Sequence, residues 1–87
     1  MQIIYSCQFI KDYRRLDNKT KEKAEEKEDV FRENPFDTRL KTHKLNGHLS
    51  DLWSFSVDYD CRIIFEIQSE KVFVFHAIGR HSIYEKF

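Results

Sequence analysis

Residues 52–78 read LWSFSVDYDCRIIFEIQSEKVFVFHAI, and over most of this stretch the hydrophobic period is two. Trp53, Phe55 and Val57 alternate with Ser54 and Ser56, so an extended strand here has one apolar and one polar face. Asp58-Tyr59-Asp60 supplies turn chemistry, after which Cys61, Ile63, Phe65 and Ile67 again share one face while Arg62, Ile64 and Glu66 share the other. A second polar turn, Gln68 to Glu70, leads into Lys71 to Ile78, which is apolar on both faces as a strand with neighbours on both sides would be. Polar connections this short permit only antiparallel pairing, so the stretch predicts a three-stranded meander.

Working towards the N-terminus, Thr38 to Ser50 is basic and loop-like. It carries Arg39, Lys41, His43, Lys44 and His48, with Asn46-Gly47 marking a turn. Before it, residues 11–34 hold eight basic and eight acidic side chains. From Thr20 to Glu33 the residues favour helix, and Pro35 ends it because the residue before a proline avoids helical dihedrals. Ala24, Val30 and Phe31 are its only apolar face, which predicts shallow packing. Phe9, Tyr13 and Leu16 form the stripe of an earlier helix, with Ser6 placed to cap it and Asp17-Asn18 ending it. Gln2 to Tyr5 is a short strand. The expected fold is α+β, an N-terminal strand and helical hairpin packed on a mainly antiparallel four-stranded sheet, in one domain spanning residues 1–87.

Composition narrows the function. Lys plus Arg and Asp plus Glu are 15 each, so no bulk field selects a nucleic acid or a membrane, and any anionic partner must be recognised by local charge. No apolar run approaches membrane-spanning length and no secretory signal pattern opens the chain, so a cytoplasmic protein is expected. Cys7 and Cys61 are read as reduced core residues. His43/His48 and His76/His81 lack the spacing of a metal site, and two glycines cannot build a phosphate loop, so neither metal nor cofactor is expected. What remains is a polar sheet face with Ser54, Ser56, Arg62, Glu66 and His76, flanked by the basic loop and Arg80-His81. Histidine and arginine around an anionic backbone suit RNA cleavage by 2'-hydroxyl attack, which requires proton transfer and charge stabilisation only. His76 lies within an apolar strand and is read as a hydrogen-bonded core histidine.

The order Lys41-x-His43-x-Leu45-x-Gly47, Trp53 to Val57, Asp58-Tyr59-Asp60-x-Arg62-Ile-Ile-Phe65, then Ile78-Gly79-Arg80-His81 with Tyr84, resembles the RelE/ParE superfamily of type II toxin-antitoxin toxins, most of all its YafQ-like branch. The resemblance implies an endoribonuclease that cuts messenger RNA on the ribosome and is silenced by a cognate antitoxin, with a heterotetramer of the two among the assemblies implied. It assigns catalytic roles to His43, Asp60 and His81 on the YafQ-like pattern, and to Arg62, Arg80 and Tyr84 on the RelE-like one. Lys41, Lys44, His48 and Arg80 are then the RNA-binding cations. The sequence departs from the pattern in having Ser56 where YafQ-like members have a histidine, and in placing Tyr84 three residues after His81. Two alternatives stand beside this reading: a ParE-like toxin that binds DNA gyrase without catalysis, and an attenuated RNA-binding remnant.

Overall fold

The computed structural model describes residues 1–80 and 83–84. The chain runs β1 (Gln2–Tyr5), α1 (Cys7–Arg14), α2 (Asn18–Glu33), a 3₁₀ turn (Thr38–Leu40), β2 (His43–Lys44), a second 3₁₀ turn (Gly47–Leu49), β3 (Trp53–Ser56), β4 (Arg62–Ser69) and β5 (Val72–Gly79). The strands form one five-stranded sheet in the order β1-β5-β4-β3-β2. β3, β4 and β5 are the expected antiparallel meander, and β1 joins it parallel to β5 with Gln2 opposite Val72. The sheet therefore has one strand more than the expected four. The addition is β2, whose two residues pair with Ser54 and Trp53 and are too few to show an alternation.

Each helix start has a local cause. The Ser6 side chain accepts a hydrogen bond from the Phe9 N–H at 3.0 Å to cap α1, and Asp17 accepts one from the Thr20 N–H at 2.7 Å to cap α2. The first helix also finishes the edge of β5 beyond the end of β1. There the Ser6 hydroxyl donates to the His76 carbonyl at 2.8 Å, and the buried Asp12 carboxylate accepts the Ile78 N–H at 3.3 Å. Backbone groups of β5 that no strand reaches are thus paired by helix side chains.

The core lies between the helices and one sheet face, where Phe55, Val57, Cys61, Ile63, Phe65, Phe73, Phe75 and Ile78 are buried. The register shift between Ile64/Phe65 and their partners leaves His76 as the extra residue of a bulge. It changes the alternation of β5, so that Phe73, Phe75 and Ile78 all reach the same core. Helix α2 does not pack shallowly, because its Phe31 is fully buried with ring centroids 4.9 to 5.2 Å from those of Phe55, Phe65, Phe73 and Phe75. One aromatic side chain anchors an otherwise charged helix. Cys61 is buried as expected, but Cys7 is exposed, since the first position of α1 points away from the Phe9 side that faces the sheet.

The opposite sheet face also differs from the open polar surface expected. Ser54, Ile64 and Ala77 stand next to one another across β3, β4 and β5, and all three are fully buried. Ile83 and Tyr84 lie on this side, with buried Ile83 against Gly79 and the Tyr84 hydroxyl 3.2 Å from that of Ser54. Gly79 is required for the approach, because a Cβ there would stand 2.5 Å from the Ile83 Cγ2.

Candidate active site

Strand β3 organises the site through its two serines. Ser54 faces His43 of β2 on one side and meets the Tyr84 hydroxyl, while Ser56 is the cross-strand partner of Arg62. Arg62 Nη1 donates to Ser56 Oγ at 2.7 Å, and no described residue gives this guanidinium an ion pair. An arginine on a mostly buried strand thereby keeps its charge available. The ion pairs that could have neutralised it do not form: Glu66 bonds His76 at 2.9 Å, and Asp60 faces Arg80 at 3.7 Å.

His43 is oriented by its own loop. Its Nδ1 lies 3.1 Å from the Lys41 carbonyl oxygen, and because a carbonyl only accepts, Nδ1 must carry the proton in that bond. In the neutral ring the Nε2 lone pair is then the free one, as a general base requires. Lys41 directs its carbonyl from a left-handed conformation, φ 52° and ψ 41°, the one positive φ of a described residue other than glycine. That backbone costs about 1–2 kcal/mol. Gly47, at φ 67°, then makes the Asn46-Gly47 turn without such strain.

His43, Arg62 and Tyr84 converge on one open cleft of about 440 Å³, whose remaining lining is Leu45, Asn46 and Leu49. A second cleft of about 330 Å³ lies between the helices under Tyr5, Phe9 and Tyr13. Its rim holds Glu25 and Glu28 against Arg14 alone, so a phosphodiester would meet carboxylates there. The cationic cleft is the candidate for an anionic ligand.

The other sequence candidates are placed as follows. Asp60 and Arg80 form their exposed pair outside the lining of the cleft. Lys41 and His48 are exposed on the loop that forms one wall. Lys44 pairs with Trp53, and strand alternation puts its side chain on the helix side of the sheet, away from His43. His81 lies outside the described residues. His76 is hydrogen-bonded through Glu66, although its side chain is 28% exposed and sits on the bulge. Leu45, Asn46 and Leu49 were not among the site residues expected from sequence, and neither were the holding roles of Ser54 and Ser56. The loop residues carry a signal in the spacing from His43 to Gly47; the serines carry none, because polar residues on a strand read as its solvent face.

A helical hairpin on one face of a five-stranded sheet is the fold of the RelE/ParE-like toxins. A family model described as the bacterial toxin of a type II toxin-antitoxin system, YafQ, matches residues 1–85, and the chain belongs to that family. The fold is that of YafQ from Escherichia coli BL21(DE3), at a TM-score of 0.79 and 23% identity, covering 95% of this chain and 96% of that one. The YoeB/ParE toxin from Agrobacterium tumefaciens superposes at a TM-score of 0.78 and 20% identity, covering 93% and 99%. The RelE of the RelE-RelB complex from Pyrococcus horikoshii does so at 0.72 and 19%, covering 91% and 92%. None of the curated protein sequences matches the chain at a significant level.

Proposed function

We propose that this toxin is a metal-independent endoribonuclease that cuts messenger RNA on the ribosome. The observation that carries the reading is the convergence of His43, Arg62 and Tyr84 on a cleft with no carboxylate among the described residues of its lining. His43 Nε2 accepts the proton of a ribose 2'-hydroxyl as that oxygen attacks the adjacent phosphorus. Arg62 donates to the non-bridging oxygens as their charge grows. The bond to the 5'-oxygen breaks, and that oxygen takes a proton from His81, leaving a 2',3'-cyclic phosphate and a 5'-hydroxyl. Tyr84 supports a base by stacking. Lys41, His48 and Arg80 attract the flanking phosphates, and Asp60 acts through Arg80, which it faces at 3.7 Å. Lys44, on the other face, adds only to the general field.

The DinJ-YafQ complex of E. coli and the YoeB-YefM complex of Staphylococcus aureus are the setting for the partner. This chain too has a cognate antitoxin, which silences it in the cytoplasm, and a heterotetramer is the assembly to look for. A toxin that only binds gyrase would have no use for a histidine whose tautomer is fixed by a strained neighbour.

The test is to induce the chain without its antitoxin and map new RNA ends on translated messages. His43→Ala and His81→Ala should each lower cleavage about 100- to 10,000-fold. New ends that are absent with the wild-type chain, or that persist within a few-fold in both variants, would remove the assignment.

A further inference from the structure

Ser56 occupies a strand position where a polar side chain would ordinarily face water. Here its hydroxyl is bonded on both sides. The Asp58 carbonyl oxygen, 2.8 Å away, can only accept, so Ser56 must give its one proton there. The Arg62 guanidinium, 2.7 Å away, can only donate, so it must meet a lone pair of the same oxygen. The hydroxyl rotor is fixed from both ends, and each bond polarises the other.

The far end of this relay is itself anchored. Val57 N–H donates to the Cys61 carbonyl at 2.9 Å, and the Asp58 carboxylate accepts the Asp60 and Cys61 N–H groups at 3.1 and 3.0 Å. Ser56 and Arg62 are also direct cross-strand partners, so the sheet register sets their separation. Arg62 is thus tied through one hydroxyl to a turn that is itself held by several hydrogen bonds.

Other arginines show what is distinctive. Arg39 is bonded by Asp37 at 3.0 Å, Arg80 faces Asp60 at 3.7 Å, and Arg32, whose hydrogen bond goes to the Tyr5 hydroxyl, has Glu28 at 3.9 Å, so each has a carboxylate near enough to offset its charge. Arg62 is held by a neutral group. A carboxylate would have fixed the guanidinium equally well while repelling the phosphate it faces. A hydroxyl fixes it and leaves the positive charge in the cleft, with the remaining N–H groups free to fork onto two oxygens.

We infer that Ser56 is the positioning residue of this site, orienting the Arg62 guanidinium toward the scissile phosphate without neutralising it. The inference rests on the ribonuclease reading for its kinetic consequence, but its geometry can be tested without turnover. Ser56→Ala removes the relay with little change in volume; Ser56→Thr keeps the hydroxyl and suits a strand.

The experiment has two arms. In the first, nitrogen-15 NMR of the Arg62 guanidinium compares wild type, Ser56→Ala and Ser56→Thr. Restricted rotation about the Nη bonds in wild type and Ser56→Thr, and averaging in Ser56→Ala, are expected; restriction in all three, or averaging in all three, overturns the inference whether or not RNA is cut. In the second, single-turnover cleavage on ribosomes should fall about 10- to 100-fold in Ser56→Ala with KM within threefold, and return to within threefold of wild type in Ser56→Thr. In an Arg62→Ala background, Ser56→Ala should cost nothing further. A full additional loss there, or a KM effect alone, would show that Ser56 acts by some other route. A wild-type chain that cuts nothing while its Arg62 shows restricted rotation would sink the ribonuclease reading and leave the positioning intact.

Discussion

Gly79→Ala adds one methyl group and should separate stability from activity. Gly79 does not have a left-handed φ, so alanine is permitted by the backbone and the effect comes from the new Cβ. That atom would stand 2.5 Å from Ile83 Cγ2, where ordinary contact begins near 3.4 Å, so the isoleucine must retreat by roughly 1 Å. It has little freedom to do so by rotation, because it is β-branched and only 4% exposed. The backbone of the turn must move instead. Overpacking of this kind costs about 1–3 kcal/mol, and replacing a strand glycine by alanine returns about 0.5–1 kcal/mol, so net destabilisation should be at most about 2.5 kcal/mol. For a domain this small that lowers the melting temperature by up to roughly 20 °C. The turn carries Tyr84 away from Ser54, and a 1 Å error at a reacting centre costs on the order of 100-fold. The assay is calorimetry beside single-turnover cleavage, with Ile83→Ala as the second arm of a cycle. Removing Cγ2 should make the double variant less destabilised than the sum of the single ones. Wild-type cleavage in Gly79→Ala, or strict additivity in the cycle, would refute the reasoning that this glycine seats the turn.

Phe31→Ala should cost about 3–5 kcal/mol, seen in urea unfolding followed by the single tryptophan, Trp53, whereas Phe36→Ala, at a ring 53% exposed, should cost under about 1.5 kcal/mol; equal costs would mean that α2 is not held by its aromatic anchor. A thiol reagent at neutral pH should modify Cys7 at once and Cys61 only on unfolding. Burial, with Asp58 and Asp60 nearby, pushes the Cys61 thiol up to about 11, whereas an unfolded thiol ionises near about 8.5. The native state thus keeps a proton that the unfolded chain loses, so stability should decline from about pH 8.5 to about 11, and Cys61→Ala should remove that component of the slope. Antitoxin binding should protect amides around residues 41–62 and 79–87 in hydrogen exchange while silencing cleavage; protection confined to residues 18–33 would place it on the helices instead.

The meander was legible because Trp53 to Val57 and Cys61 to Ile67 alternate cleanly and the turns between them hold Asp, Ser and Glu. The caps at Ser6 and Asp17 needed only local chemistry. The depth of Phe31 was not legible, because a single ring among charges gives no stripe, and four rings from three strands meet it only after the sheet forms. Strand β2 was invisible for its length. The parallel placement of β1 against β5 depends on contacts remote in sequence. At the site, the residue types of His43, Arg62 and Tyr84 suggested their chemistry, and the structure puts them at one cleft. The pairing of Asp60 with Arg80 and the turning of Lys44 to the other face are register effects. Composition cannot express them.

Strand β1 is made first and finds its place last. Its neighbour β5 is the last of the described strands: Ser6, just past the end of β1, and His76 are 70 positions apart yet joined by a hydrogen bond. At about 5–20 residues per second the ribosome takes seconds to deliver that partner, and Tyr84 arrives later still. Until then the cleft lacks one wall and the sheet lacks a principal strand. Nascent chains halted before Val72 should accordingly be digested by protease along their whole exposed length, while released chains resist. On the ribonuclease reading proposed above, the unfinished chain cannot cut the message that encodes it, and the interval before release is the time in which an antitoxin already present can be waiting.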